Sequence, residues 1–153
     1  RRLQAGELLA WADPIAAIAH GAINSQVKRV LVARSFARWC TLSDDALCRA
    51  AREIEAGRFE ADLGRGVVKK RVAYPGRGKR GGARVLVARN SSLCIVFLEG
   101  RDKSDPGTDF SDAQAESAME LAKAFARLDR QQLELAISRG AVKEIWCEEE
   151  DIA

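Results

Sequence analysis

The chain has 153 residues and a formal net charge of +3, with 47% hydrophobic and 31% charged residues. That length suits one compact domain with an appendage, and the balance of apolar and charged residues excludes an intrinsically disordered chain. No apolar run approaches the length a helix needs to cross a bilayer, so no membrane partner is expected.

Residues 1–26 hold Gly6, Pro14 and Gly21 within an alanine-rich stretch, which predicts a short helix and loose chain outside the core. Glu7 and Asp13 interrupt the apolar content there, so the stretch does not read as a secretory signal. From Val27 the pattern sharpens. Val27 to Ala33 is β-branched and bounded by polar residues, the mark of a strand. Ser35 to Cys40 puts Phe36 and Trp39 at helical spacing, a short helix packed on the core. Ser43 is a good N-cap, and Asp44 and Asp45 follow where a helix dipole favours anions. Leu47, Ala51 and Ile54 then recur on one helical face, and Gly57 supplies the stop.

Gly66 to Ala73 reads as a strand, followed by a glycine-rich turn over Tyr74 to Gly82. Ala83 to Arg89 is the next strand, Asn90 to Ser92 a turn, and Leu93 to Leu98 a fully apolar strand. Three strands joined by short polar links predict an antiparallel meander. Ser111 with Gln114 forms a capping box that opens a helix to about Leu128, with Ala118, Ala122 and Phe125 on its inner face. Asp129 with Gln132 repeats the device for a last helix ending near Gly140, and residues 147–153 form an acidic, solvated tail. The expected architecture is an α+β domain over residues 27–146, with its core at 27–107 and C-terminal helices at 108–146. Its helices are expected on one face of a mostly antiparallel sheet, leaving the other face open.

Cys40, Cys48, Cys94 and Cys147 show no CxxC spacing, and His20 is the sole histidine, so no metal site is expected. Reduced cysteines acting as small buried hydrophobes, in a cytoplasmic protein, are the default reading. The turn Pro75 to Gly82 lacks the lysine-serine/threonine ending of a nucleotide-binding loop, and no cofactor is expected.

The charge is unevenly placed. Between Asp62 and Glu99 there is no acidic residue, while Arg65, Lys69, Lys70, Arg71, Arg77, Lys79, Arg80, Arg84 and Arg89 fall inside that interval. A block of one sign points to a polyanion surface, with a solubilising basic loop as the plain alternative. Strand alternation puts Lys69 and Arg71 on one face, with Lys70 on the other beside Val68 and Val72. Arg84 and the later Arg101 converge with Lys69 and Arg71 on one patch, which suits either RNA or an acidic helix of a partner protein.

Cutting RNA requires a base for the ribose 2′-hydroxyl, a proton for the leaving 5′-oxygen and cations for the phosphorane. His20 lies in the extension and is poorly placed for proton transfer. A lysine crowded by cations can serve as base, and arginines grip phosphate in a fork. On this reading Lys69, Arg71, Arg84 and Arg101 carry the catalysis. Lys70, Tyr74, Arg77, Lys79, Arg80, Arg89 and Lys103 supply RNA contacts, Tyr74 by stacking or by donating a proton.

The run Val67-Val68-Lys69-Lys70-Arg71-Val72-Ala73, with Pro75-Gly76, Gly78-Lys79, Gly81-Gly82 and Arg84, resembles the signature of RelE-like toxins of the HigB/RelE-like subfamily. The upstream Phe36-Ala37-Arg38-Trp39 and Ser43-Asp44-Asp45-Ala46-Leu47 resemble that subfamily's start. The likeness covers roughly Val27 to Gly100 well. It implies the RelE-like fold and the toxin of a type II toxin–antitoxin pair, with an antitoxin protein, messenger RNA and the ribosome as partners. Members of the broader family cleave messenger RNA with clustered basic residues and no metal. The family's lysine-x-basic pair falls on Lys69 and Arg71, its glycine-x-arginine on Gly82 and Arg84, and its later cations on Arg101 and Lys103. Where the subfamily commonly has an aromatic stretch and a lysine-rich turn, this chain has Glu99-Gly100-Arg101-Asp102-Lys103-Ser104-Asp105. Two competing readings follow: a ParE-type binding toxin that poisons gyrase, or a degenerate toxin that only binds its antitoxin.

Overall fold

A computed structural model describes residues 28–74, 82–102, 105, 107 and 109–148. The expectations placed on residues 1–26 and on the tail beyond Glu148 lie outside the described residues.

The architecture is α+β, built on one mixed sheet of six strands in the order β2-β3-β4-β5-β1-β6. β1 (Arg29–Ala33) leads without a side-chain cap into α1 (Arg34–Trp39). Next comes α2 (Asp44–Glu55), where the Ser43 hydroxyl accepts from the Ala46 amide and ties up one of the first turn's orphan donors. β2 (Ala61–Gly64), β3 (Val67–Ala73), β4 (Gly82–Ala88) and β5 (Cys94–Asp102) follow as an antiparallel run. Then come α3 (Asp112–Ala126), α4 (Arg130–Ser138) and β6 (Val142–Ile145). Both predicted capping boxes are complete, with side chain and backbone satisfying each other at Ser111/Gln114 and at Asp129/Gln132. β5 pairs in parallel with β1, and β6 returns antiparallel on β1's other side.

The expected open sheet face is not there. One face packs against α1 and α2 through Phe36, Leu47, Ile54, Val68, Val85 and Phe97. The other packs against α3 and α4 through Leu31, Leu86, Val96, Leu98, Ala122 and Leu133. The unbroken apolar run at Cys94–Leu98 is the local cause, since a strand covered on both faces has no polar side.

Two strands also escaped the sequence reading, and they are the two sheet edges, β2 and β6. Each has four residues; β2 alternates half-buried and exposed positions, while β6 is buried at its two ends with an exposed and a half-buried residue between. Short, polar edges of this kind resist pairing with other chains, and for the same reason carry little hydrophobic signal. Between β2 and β3 the chain reverses through Gly64, Arg65 and Gly66, all at positive φ.

The cysteine reading also changes. Cys48 of α2 and Cys147, just past β6, form a disulfide, leaving Cys40 and Cys94 as free thiols. Two positions 99 residues apart give no local pattern from which the pair could be read. Beneath β1, the Arg29 guanidinium clamps the second face. Its Nε and Nη2 donate to the Glu144 carboxylate at 2.9 and 2.7 Å, and Nη1 donates to Glu134 at 2.6 Å. Hydrogen bonds to Glu144, foremost, hold Arg29 in its charged form well above the ordinary arginine range.

Candidate functional site

Sheet register decides which basic side chains meet. Arg71 of β3 stands opposite Arg84 of β4, and Arg84 stands opposite Arg101 of β5. Directly paired positions share a face, so the three arginines form a row across three neighbouring strands. Lys69 lies two residues before Arg71 on that face and opposite Leu86. Like charges in direct cross-strand register oppose folding. A row of this kind therefore calls for anions from elsewhere to balance it.

Part of that balance is internal. The Lys69 ammonium donates to the Asp109 carboxylate at 2.5 Å, reaching the segment between β5 and α3. That bond, foremost, with the Phe110 amide and the field of Lys69 and Arg84, holds the Asp109 carboxyl below its usual range against the opposing effect of burial. Arg101 is buried and turned to the same segment. Its Nη1 donates to the Asp109 carbonyl at 2.5 Å, and Nη2 donates to the Asp105 and Gly107 carbonyls, both at 2.9 Å. Asp105 adds a carboxylate that accepts from the Asp102 amide at 2.9 Å. Arg101 thus organises the chain leaving β5, and that chain delivers Asp109 to Lys69.

Beside this segment is a cleft of about 280 Å³ lined by Glu60, Ala61, Lys69, Arg71 and Arg84. Arg71 is exposed and Arg84 half-buried. Glu60 sits at the entry to β2. Its amide donates to the Lys69 carbonyl at 2.9 Å, and its Oε1 accepts from the Arg71 amide at 2.6 Å. Glu99 lies one pair further along the same face, opposite Leu86, and burial pushes its carboxyl pKa up. Lys69, Arg71 and Arg84 are therefore brought together in one basic cleft, while Arg101, opposite Arg84, is bonded to the segment that follows β5.

Three other expected contacts lie elsewhere. Lys70 points to the first face, where it is buried and paired with Glu53 of α2 at 2.8 Å. Tyr74 is on that face too. Its hydroxyl meets the Thr41 hydroxyl at 3.0 Å and donates to the Asp102 carboxylate. Arg89 follows β4 at the far end, with its guanidinium carbon 4.8 Å from the centre of the Phe59 ring. Five residues separate it from Arg84, about 17 Å along a strand. Arg77, Lys79, Arg80 and Lys103 lie outside the described residues. Glu60 and Asp109 escaped the sequence reading. With β2 unrecognised, no register placed Glu60 beside β3, and Asp109 comes into reach only through the turn that Arg101 shapes.

The family model for the RelE toxin of the RelE/RelB toxin–antitoxin system matches residues 28–145. The chain belongs to the RelE toxin family. The match runs from β1 to β6 and so takes in every strand that builds the cleft. No curated protein matches the chain. RelE toxins act within toxin–antitoxin systems, which makes this chain a toxin by family. Among the described residues, no helix is long and apolar enough to cross a membrane.

Proposed function

We propose that this RelE-family protein is an endoribonuclease of the HigB/RelE-like subfamily that cuts messenger RNA on the ribosome in the cytoplasm and is neutralised by a cognate antitoxin. The observation that carries this reading is the convergence of Lys69, Arg71 and Arg84 on one cleft. Arginine forks suit non-bridging phosphate oxygens, and a lysine adds a compact point charge. Together they neutralise the charge that gathers on phosphorus as the 2′-oxygen attacks. Lys69, in an ion pair with Asp109, contributes as a cation, and Arg101 contributes by holding the loop.

The reading is tested by inducible expression in a bacterium, scoring growth and transcript integrity for the wild type and for Lys69→Ala/Arg84→Ala. Growth arrest with cut transcripts, both lost in the double variant, is the expected result. Arrest with intact transcripts and broken DNA would move the assignment to a gyrase-poisoning toxin. No arrest at all would leave a protein that only binds its antitoxin.

A further inference from the structure

We propose that Glu60 is the general base of this site, taking the proton from the ribose 2′-hydroxyl. The inference rests on the ribonuclease reading above and names the residue which that reading lacks.

A cleft that binds phosphate gains nothing in affinity from a carboxylate on its wall; like charge there opposes the ligand. Yet Glu60 lines the same cleft as Lys69, Arg71 and Arg84. It is held there at two points, by its own amide to the Lys69 carbonyl and by its Oε1 to the Arg71 amide. Both anchors are on β3, the strand that carries two of the three cations, so carboxylate and cations keep one geometry. A carboxylate bound through one oxygen keeps lone pairs on the other for a proton.

The rival groups among the described residues are each less suited. Lys69 is paired with Asp109 at 2.5 Å, and a lysine in an ion pair has no lone pair to offer. Asp109 is drawn below its usual range by that same contact, which makes it the weaker base. Glu99 stands opposite Leu86, on a row of the sheet away from Arg71 and Arg84.

The step balances as a transesterification. The 2′-hydroxyl proton moves to Glu60 as the 2′-oxygen bonds to the adjacent phosphorus. The bond from phosphorus to the 5′-oxygen breaks, and that oxygen takes a proton from water. Glu60 then returns its proton to solvent, leaving a 2′,3′-cyclic phosphate and a 5′-hydroxyl.

The test compares the wild-type chain, Glu60→Gln and Glu60→Ala, each purified and added to ribosomes carrying a short messenger RNA, and to ribosomes carrying the same RNA with one 2′-deoxy nucleotide at the cut site. Glutamine keeps a carbonyl oxygen for the Arg71 amide, so the β2–β3 ladder is preserved while the base is lost. The expected result is a fall in cleavage rate of about a hundred- to ten-thousand-fold in Glu60→Gln. Affinity for the uncleavable RNA should be unchanged or tighter, and the rise of rate with pH on the acid side should disappear. Cleavage by Glu60→Gln within a few-fold of wild type, with the same pH profile, would overturn the assignment. Loss of cleavage in Glu60→Ala alone would likewise make Glu60 a structural support of β3. A wild-type chain that cuts no RNA while still binding it would overturn the ribonuclease reading, and this inference with it.

Discussion

Removing the Cys48–Cys147 disulfide should destabilise the fold without touching the cleft. The bridge spans 99 residues and encloses everything from the middle of α2 to the end of β6, leaving β1 and α1 outside the loop. Chain-entropy arguments value a closed loop of about 100 residues at about 4.7 kcal/mol at 25 °C, and removal of native disulfides typically costs about 2–5 kcal/mol. For a domain of this size that corresponds to a fall in Tm of roughly 10–20 °C. Cys147→Ala is the better variant, because Cys48 is fully buried in the first core and its truncation would add a cavity cost. Thermal and urea unfolding should be followed for oxidised protein, reduced protein and Cys147→Ala, the last two being expected to coincide. Alkylation of unreduced, unfolded protein should label Cys40 and Cys94 only. Neither cysteine lines the cleft, so RNA cleavage well below the transition should be equal in all three samples. Unfolding curves that superimpose with and without reductant, or labelling of four thiols before reduction, would refute the reasoning.

Three further outcomes follow from the same geometry. Lys70→Met should lower stability by about 1–3 kcal/mol, less than a fully buried pair would because Glu53 is about a third exposed, while RNA affinity stays unchanged; a large loss of RNA binding would place Lys70 at the RNA after all. Glu99 has its pKa raised by burial, so the folded state prefers its neutral form and loses stability as pH rises through the carboxylate range. Glu99→Gln should therefore stabilise the protein at neutral pH and have no effect in acid below that range, a pattern that urea unfolding at several pH values would read. Binding of the uncleavable RNA through Lys69, Arg71 and Arg84 should weaken with salt at a logarithmic slope of about −2, and Arg84→Ala should flatten it by about 0.7.

Much of this fold is legible in the residues, and its gaps have physical causes. The capping boxes at Ser111 and Asp129, the N-cap at Ser43 and the stop at Gly57 are local chemistry, and each stands where the pattern puts it. The meander β3–β4–β5 follows from alternation and turns, and the same alternation separates Lys69 and Arg71 from Lys70. What the residues do not disclose is long-range. β2 and β6 are edges whose pattern is too short to stand out from loop. The two-sided cover of the sheet depends on where α3 and α4 return after β5, although the apolar run at Cys94–Leu98 carries its trace. Arg101 has the residue type and strand position of a phosphate ligand; only its three carbonyl acceptors give it to the loop.

That loop explains how a row of like charges can persist before any RNA arrives. Arg101 donates to backbone carbonyls and Lys69 to the Asp109 carboxylate, so part of this positive charge is balanced from within the chain. Arg71 is exposed and Arg84 half-buried, at the side of the row nearer Glu60. An incoming phosphate therefore meets the row at the end where the carboxylate is held, and reaches Lys69 in competition with Asp109. Asp109→Asn would remove that competitor's charge. With that competitor gone, the variant binds the uncleavable RNA more tightly than the wild type, by up to about fivefold for a contact of about 1 kcal/mol at an exposed carboxylate. Weaker binding in Asp109→Asn would mean that Asp109 instead positions Lys69 for the phosphate, and the loop would then belong to the site's assembly and not to its protection.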